Sequence, residues 1–298
     1  MADSLPQWQQ TVLTRNQLPV QYLGDAQNWF NPLGDLIAEH QHGASRPWLV
    51  AVNGSQGSGK STLCDYLCAY LQARHQLNCL ALSLDDFYLT APQRRQLAID
   101  VHPLFATRGV PGTHDMGLLA RTLDGLLEGR ATRIPRFDKA VDDRVPEEAW
   151  EEADSAIDIV LLEGWCLGAS AQSIDELVEP LNELESAEDA DGRWRNQVNT
   201  VLSEKFSPLY QRVDEWVMLQ APSFDCVYRW RLEQEQKLAR ERQGEGVMDE
   251  SKLARFIQHY QRLTEHCLQR LPSRVNHLFR LDEDRQVRNY TVAPGVKV

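Results

Sequence analysis

The sequence has no Cys-x-x-Cys pair, and its six cysteines (64, 68, 79, 166, 226 and 267) keep no spacing that suggests a zinc site or a disulfide framework. Cys64 and Cys68 lie four apart in a stretch that reads as helix, where two small apolar residues share a face. A reduced compartment fits this usage. The start, MADSLPQWQQ, has neither the basic opening nor the apolar core of a signal peptide, and no apolar run approaches the roughly 20 residues that cross a bilayer. The expectation is a cytoplasmic chain with no membrane partner. Positive charge is also short: 31 Lys and Arg stand against 43 Asp and Glu, a net charge of −12. A nucleic-acid binder neutralises phosphates with a basic face, so that class is set aside. A small anionic ligand stays open, because one pocket can be positive inside an acidic protein. Internal repeats and low-complexity tracts are absent as well.

What is present is a core. Of the 298 residues 42% are hydrophobic, enough for a substantial interior. Near-continuous apolar runs read as buried strands: RPWLVAVNG (46–54), NCLALSL (78–84), AIDIVLLEG (156–164), EWVMLQA (215–221) and, as a possible fifth, NHLFRLDE (276–283). Helical patterns alternate with them. Leu63, Leu67 and Leu71 mark one helix face, residues 118–127 another, and two charged helices are expected over 224–243 and 249–271. Residues 175–212 read as helices broken by an exposed acidic loop, ESAEDADG (185–192), while Pro135 and Pro146 make the stretch between them irregular. Alternation of this kind predicts an α/β fold of the doubly wound type, with a mainly parallel sheet, helices on both faces and helical additions. Residues 1–46, carrying Trp8, Trp29, Phe30 and Leu33, read as a partly helical extension on a single domain over 47–298.

The chemistry starts at the end of the first strand. Gly54, Ser55, Gln56, Gly57, Ser58, Gly59, Lys60, Ser61 and Thr62 complete the pattern Gly-x4-Gly-Lys-[Ser/Thr], with a strand before and a helix after. Glycines let successive backbone N–H groups curl around phosphate oxygens, and the following helix presents its positive end to them. Lys60 reaches the outer phosphates, and Ser61 offers a hydroxyl to Mg²⁺. A nucleoside triphosphate is the expected ligand of all nine residues.

Further residues say what is done with it. Reading guanine needs Asn-Lys-x-Asp, and no Asn-Lys pair occurs; DADG (189–192) matches Asp-x-x-Gly but lacks a preceding apolar strand. An ABC-type signature is missing too. The second strand ends in Asp85-Asp86-Phe87-Tyr88, at the carboxyl edge of the sheet where ligands gather. A carboxylate there can take the proton of an attacking hydroxyl, or cap the next helix. The third strand ends in Glu163-Gly164-Trp165, and an acid in that place beside a phosphate loop organises Mg²⁺ directly or through water.

These segments, with RGVPGTHD (108–115) and PRFDKAVDDR (135–144), resemble in kind and order those of the phosphoribulokinase, uridine kinase and pantothenate kinase superfamily of P-loop small-molecule kinases. Within it, the wording is most like the D-glycerate 3-kinase-like branch, which includes uncharacterised bacterial and fungal kinases. The likeness runs from about residue 48 to the C-terminus. It implies ATP and Mg²⁺, a small-molecule hydroxyl as acceptor, and Asp85 in the position of the catalytic base. Asp86 replaces the family's serine, PGTHD stands for its Pro-x-x-Phe-Asp segment, and PRFDK stands for Pro-x-Tyr-Asp with Phe137 in place of tyrosine.

The expected roles are these. Lys60, Asp85 and Glu163 are catalytic, with Ser61 and Glu163 on the metal. Asp86, Tyr88, Arg108, His114, Asp115, Arg136, Asp138, Lys139 and Arg144 form the acceptor side. Its basic residues favour an anion such as D-glycerate, since arginine meets a carboxylate with two parallel hydrogen bonds. They can equally pair with Asp115, Asp138, Asp142 and Asp143. Arg229 or Arg231 on a closing helix could touch phosphates, although Glu233–Lys237 and Lys237–Glu241 are pairs typical of a solvated helix. Trp165 shapes the acceptor pocket or joins the core. Two alternatives stand beside the glycerate reading: the same machinery with a pantothenate-like, nucleoside or sugar acceptor, and an ATP-binding regulatory or assembly protein with slow hydrolysis. Fold alone decides none of these, and oligomeric state is not legible.

Overall fold

The apolar runs become the parallel strands of one sheet: β1 (Trp48–Gly54), β2 (Cys79–Ser83), β3 (Ile159–Gly164), β4 (Glu215–Gln220) and β5 (His277–Leu281). A sixth strand, β6 (Val287–Val292), pairs antiparallel with β5 at one edge, and the order is β2-β3-β1-β4-β5-β6. β6 escapes a sequence reading because an edge strand with mostly exposed side chains carries no apolar run. The computed structural model describes residues 5–153, 156–241 and 250–293.

β1 is completely lined with buried residues after Trp48, and they alternate between two cores. Leu49 and Ala51 face one side with Leu119, Leu123 and Leu126 of α5 and Tyr260 and Leu263 of α9. Val50 and Val52 face the other with Leu63, Leu67 and Leu71 of α3 and Val227 and Trp230 of α8. The α-helices of six or more described residues, in chain order, are α1 (Gln7–Arg15), α2 (Asn31–His42), α3 (Lys60–His75), α4 (Ala91–Asp100), α5 (Met116–Leu127), α6 (Glu183–Glu188), α7 (Arg193–Val201), α8 (Phe224–Glu241) and α9 (Glu250–Arg270). Both faces are thus covered, the expected doubly wound arrangement. α2 lies on α3: Leu33 and Ile37 are fully buried in the second core, and a Cβ on Gly34 would meet the Tyr70 ring at 2.7 Å. Each such aliphatic burial contributes about 1.5–3 kcal/mol.

One expectation is corrected. Residues 185–192 are exposed only in part, at Ser186, Ala187, Glu188, Ala190 and Asp191, and only 189–192 form a turn. Glu185 and Asp189 are fully buried, and α6 runs through Glu188. Glu185 accepts two bonds from Arg262 at 2.7 and 2.6 Å, and Asp189 accepts from the backbone N–H of Trp194 and Arg195 while pairing with the Arg195 guanidinium. Buried charge demands such partners, and Arg262 is too distant in the chain for a local charge count to find.

Register levels the site. Ser83 of β2 and Val52 of β1 both align with Glu163 of β3. The carboxyl ends of three adjacent strands therefore deliver Asp85, Glu163 and the 54–62 loop to one edge of the sheet, where open α/β folds hold ligands. Between β2 and β3 the chain makes two small ribbons, Thr132–Ile134 with Glu151–Ala153 and Phe137–Asp138 with Asp143–Arg144. The second carries Lys139 to Asp142 at its tip.

Candidate active site

The loop after β1 leaves the strand at Gly54 and enters α3 at Lys60. Gly57 and Gly59 have φ of +79° and +89°, a region costly for any residue with a side chain. At Gly57 there is a second reason, since a Cβ would lie 2.7 Å from that of Trp230. No side chain caps the start of α3, so its first N–H groups remain available to an anion. The Ser55 and Ser58 hydroxyls are buried without a hydrogen bond.

Beside this loop lies a cavity of about 570 Å³. It is lined by Gln56, Gly57, Lys60 and Ser61 of the loop and by Asp85, Tyr88, Arg108 and Lys139. Ser61 Oγ donates to Glu163 Oε1 at 2.8 Å, while Lys60 Nζ stands 3.6 Å from Glu163 Oε2. That buried Oε2 makes no hydrogen bond. Asp85 Oδ2 accepts from Lys139 Nζ at 2.6 Å and Oδ1 from the Tyr88 hydroxyl at 2.9 Å. Burial alone would raise the Asp85 carboxyl. The Lys139 and Lys60 charges and the two hydrogen bonds outweigh it and hold the group well below the usual carboxylate range. Asp85 in turn raises the Lys139 ammonium, and burial raises the Tyr88 phenol.

Several acceptor-side residues are brought to the cavity wall only indirectly. Asp86 is tied to Arg136 Nη1 at 3.0 Å and to the Phe137 N–H at 3.1 Å, which fixes the ribbon against the strand-end turn. Burial is the chief reason the Asp86 carboxyl lies above its ordinary range. Asp115 caps α5 by accepting from Leu118 N–H, and Arg144 bridges it to the Tyr88 carbonyl. Asp138 accepts from the Ala140 N–H within the ribbon turn. His114 is buried, stacked on Tyr88 at 4.5 Å, with neither ring nitrogen hydrogen-bonded, and burial lowers its imidazole to about 4. None of Asp86, His114, Asp115, Arg136, Asp138 or Arg144 lines the cavity. Trp165 is core: it donates to the Gly109 carbonyl at 3.2 Å and meets Tyr260 edge-on.

On the helical side, Arg231 lines the cavity paired with Glu235, whereas Arg229 points to Glu283 at 2.9 Å. Glu233 pairs with Arg285, and the side chains of Lys237 and Glu241 lie outside the described residues. Sequence reading missed Arg15, Asn16, Phe256 and Tyr260, which join Gln17 and Gln234 in the rest of the wall. They belong to no motif, and only the packing of α1 and α9 brings them in. A second cavity, about 600 Å³, lies across the loop, bounded by Gly57, Gly59, Thr62, Tyr22, Phe30, Leu219 and Val287. Arg285 donates to the Gly57 carbonyl at 3.0 Å between the two.

A phosphate loop on the central strand of a parallel sheet defines the class, a P-loop nucleotide-binding fold. No family model matches the chain. It is 35% identical over 231 residues to an uncharacterized kinase, mug58, of Schizosaccharomyces pombe, covering 72% of this chain and 79% of that one. It is 29% identical to the chloroplastic D-glycerate 3-kinase of Arabidopsis thaliana over 72% of this chain and 46% of that protein, and so spans less than half of that relative. The structure of a D-glycerate 3-kinase from Cryptococcus neoformans var. grubii superposes with a TM-score of 0.74 at 24% identity, covering 89% of this chain and 98% of that one, a likeness of fold. The chain belongs to the P-loop small-molecule kinases of the glycerate kinase and uridine kinase family, and is an ATP-dependent kinase.

Proposed function

We propose that this kinase transfers the γ-phosphoryl group of ATP to a hydroxyl of a small anionic metabolite, with D-glycerate the best-fitting acceptor. One observation carries the reading: Lys60, Ser61, Asp85, Arg108 and Lys139 line a single cavity, with Glu163 bonded to Ser61 and 3.6 Å from Lys60. Residues 54–62 hold the triphosphate through backbone N–H groups, and the nucleoside extends toward the cavity bounded by Tyr22, Phe30 and Val287. Lys60 stabilises charge on the transferring group. Asp85 orients the acceptor hydroxyl and receives its proton, a contribution of about 10²–10⁴-fold. Arg108 and Lys139 meet the acceptor's carboxylate, while Asp86, Arg136 and Arg144 support them by fixing the ribbon and the Tyr88 turn.

The residues fit Mg²⁺. Ser61 and Glu163 are hard oxygen donors, and Glu163 Oε2, buried with no hydrogen bond and only the Lys60 ammonium near it, is free to serve as a ligand atom. Bound there, the ion would neutralise charge on the β- and γ-phosphates. Work in the cytoplasm and a single kinase domain over 47–298 belong to the same proposal.

The test is ATP consumption measured with D-glycerate and a panel of pantothenate, nucleosides and sugars. Turnover that depends on D-glycerate supports the reading. Clear turnover on a neutral panel member and none on D-glycerate refutes the acceptor, and hydrolysis insensitive to every acceptor but stimulated by a protein refutes the transferase role.

A further inference from the structure

Asp85, the proton acceptor of that reading, is already engaged. Both carboxylate oxygens accept a hydrogen bond, one from the Tyr88 hydroxyl and one from the Lys139 ammonium. Each oxygen can accept a second hydrogen bond, but Asp85 can take a proton on Oδ2 only once the ammonium bonded there withdraws, or on Oδ1 only once the Tyr88 hydroxyl does. Tyr88 is fixed: it is buried, stacked on His114, bridged to it through backbone, and its carbonyl is gripped by Arg144. Lys139 is the opposite case. It sits at the tip of a two-residue ribbon, and its side chain is 60% exposed. Movement therefore falls to Lys139.

Water can open so exposed a pair, but an anion is the competitor that holds the displaced ammonium away from the carboxylate. Next to it stands Arg108, a second cation, whose partner Asp142 is shared with the buried Arg94 and belongs to the same ribbon. A carboxylate entering between Lys139 and Arg108 would gain both cations, and in gaining Lys139 it would release Asp85.

We infer that Lys139 is a specificity-determining residue that keeps Asp85 occupied until an anionic hydroxy acid binds, so that the base is freed by the substrate's own charge. A neutral alcohol of the same size has nothing with which to draw Lys139 away. In the step so enabled, the acceptor oxygen bonds to the γ-phosphorus as the bond from that phosphorus to the β–γ bridging oxygen breaks. ADP leaves with the electron pair, and the hydroxyl proton passes to Asp85 Oδ2 and then to solvent. This inference rests on Asp85 being the base, as proposed above. The groups facing Asp85 are Lys139 from the ribbon, Lys60 from α3, Tyr88 on its own turn, His114 and Cys166 from neighbouring loops, and Tyr260 from α9. Of the two ammonium groups, Lys60 is kept on Glu163 and only Lys139 is bonded to Asp85.

The experiment compares D-glycerate with glycerol in the wild type, Lys139→Met and Lys139→Arg, at saturating ATP and Mg²⁺, with kcat and KM followed across pH. Lys139→Gln serves as a second neutral variant should methionine disturb the turn. The wild type should prefer D-glycerate. In Lys139→Met, kcat/KM for D-glycerate should fall about tenfold or more through KM, while kcat for glycerol rises by a similar factor. The acid limb of the glycerol profile should move up by about 1–3 pH units, because the ammonium no longer favours the ionised carboxylate. Lys139→Arg should keep the preference. Equal slowing of both acceptors with an unmoved acid limb would make Lys139 structural, and loss confined to D-glycerate with glycerol unchanged would make it a simple carboxylate binder. Either overturns the inference and leaves the phosphotransfer reading standing. A wild type that phosphorylates neutral alcohols and no hydroxy acid overturns the inference and the anionic-acceptor reading together.

Discussion

Replacing Asp85 by asparagine keeps the outline of the side chain and its bond from Tyr88, but removes the charge that faces Lys139 and the atom proposed to take the hydroxyl proton. Stability should change little. The Lys139 side chain is 60% exposed, so the ion pair contributes about 1 kcal/mol or less. Turnover should change greatly. An amide accepts no proton at neutral pH, and loss of a general base costs about 10²–10⁴-fold, with a thousandfold loss equal to about 4 kcal/mol of barrier. In the proposed reading ATP is held by the loop and by Lys60, whose salt-bridge partner is Glu163 rather than Asp85. The dissociation constant for ATP should therefore stay within about threefold of wild type. Titration calorimetry with ATP and single-turnover transfer to D-glycerate read the two quantities separately. Transfer within about fivefold of wild type would remove Asp85 as base, and a parallel loss of ATP binding would move it to the nucleotide side.

Three further outcomes follow from the same geometry. Glu163→Gln should raise the Mg²⁺ concentration for half-maximal turnover by about 10–100-fold, and an unchanged Mg²⁺ titration would take Glu163 off the metal. Gly57→Ala should lower stability by about 2–4 kcal/mol in urea denaturation, since it combines a φ of +79° with a Cβ 2.7 Å from that of Trp230; wild-type stability would mean that the loop and α8 separate freely. His114 is buried neutral, its imidazole lowered from about 6.5 unfolded to about 4 folded, so the unfolded chain binds the extra proton first and stability falls as pH drops through that window, by up to about 3 kcal/mol. His114→Phe should remove that part of the acid sensitivity, and equal urea midpoints for wild type at pH 7 and pH 5 would refute it.

The sheet was legible because each of its parallel strands is a continuous apolar run, and the phosphate loop because its constraints are local: glycines where φ is positive and a lysine at the first turn of α3. Asp85 and Glu163 were legible as strand-end acids for the same reason, and register then levels them. The acceptor loops were harder. RGVPGTHD and PRFDKAVDDR contain five basic residues, and sequence offers no means of separating those that face the cavity from those that hold the loops together. The structure divides them by partner. Arg136 and Arg144 are occupied with Asp86, Asp115 and the Tyr88 carbonyl, while Arg108 and Lys139 reach the cavity. The walls supplied by Arg15, Asn16 and Tyr260 were invisible, because they arise from α1 and α9 crossing the loop rather than from any spacing in the chain.

That division bears on how a chain of net charge −12 can host an anion at all. Each cation lining the cavity has a carboxylate partner: Arg15 with Asp65, Lys60 with Glu163, Arg108 with Asp142, Lys139 with Asp85 and Arg231 with Glu235. Pairing lets five positive side chains stand together without mutual repulsion opening the site, and long-range attraction for ligand is correspondingly weak. An entering triphosphate or carboxylate does not simply add to free positive charge. It competes with a protein carboxylate for each cation, and binding is favourable where the displaced carboxylate gains a new role. In the proposed mechanism Glu163 would gain a metal and Asp85 a proton to accept, both supplied by the reactants themselves. The acidic composition that argued against a nucleic-acid partner is therefore compatible with anionic substrates, if selectivity resides, as proposed, in exchange of partners inside the cavity and not in the field of the whole molecule.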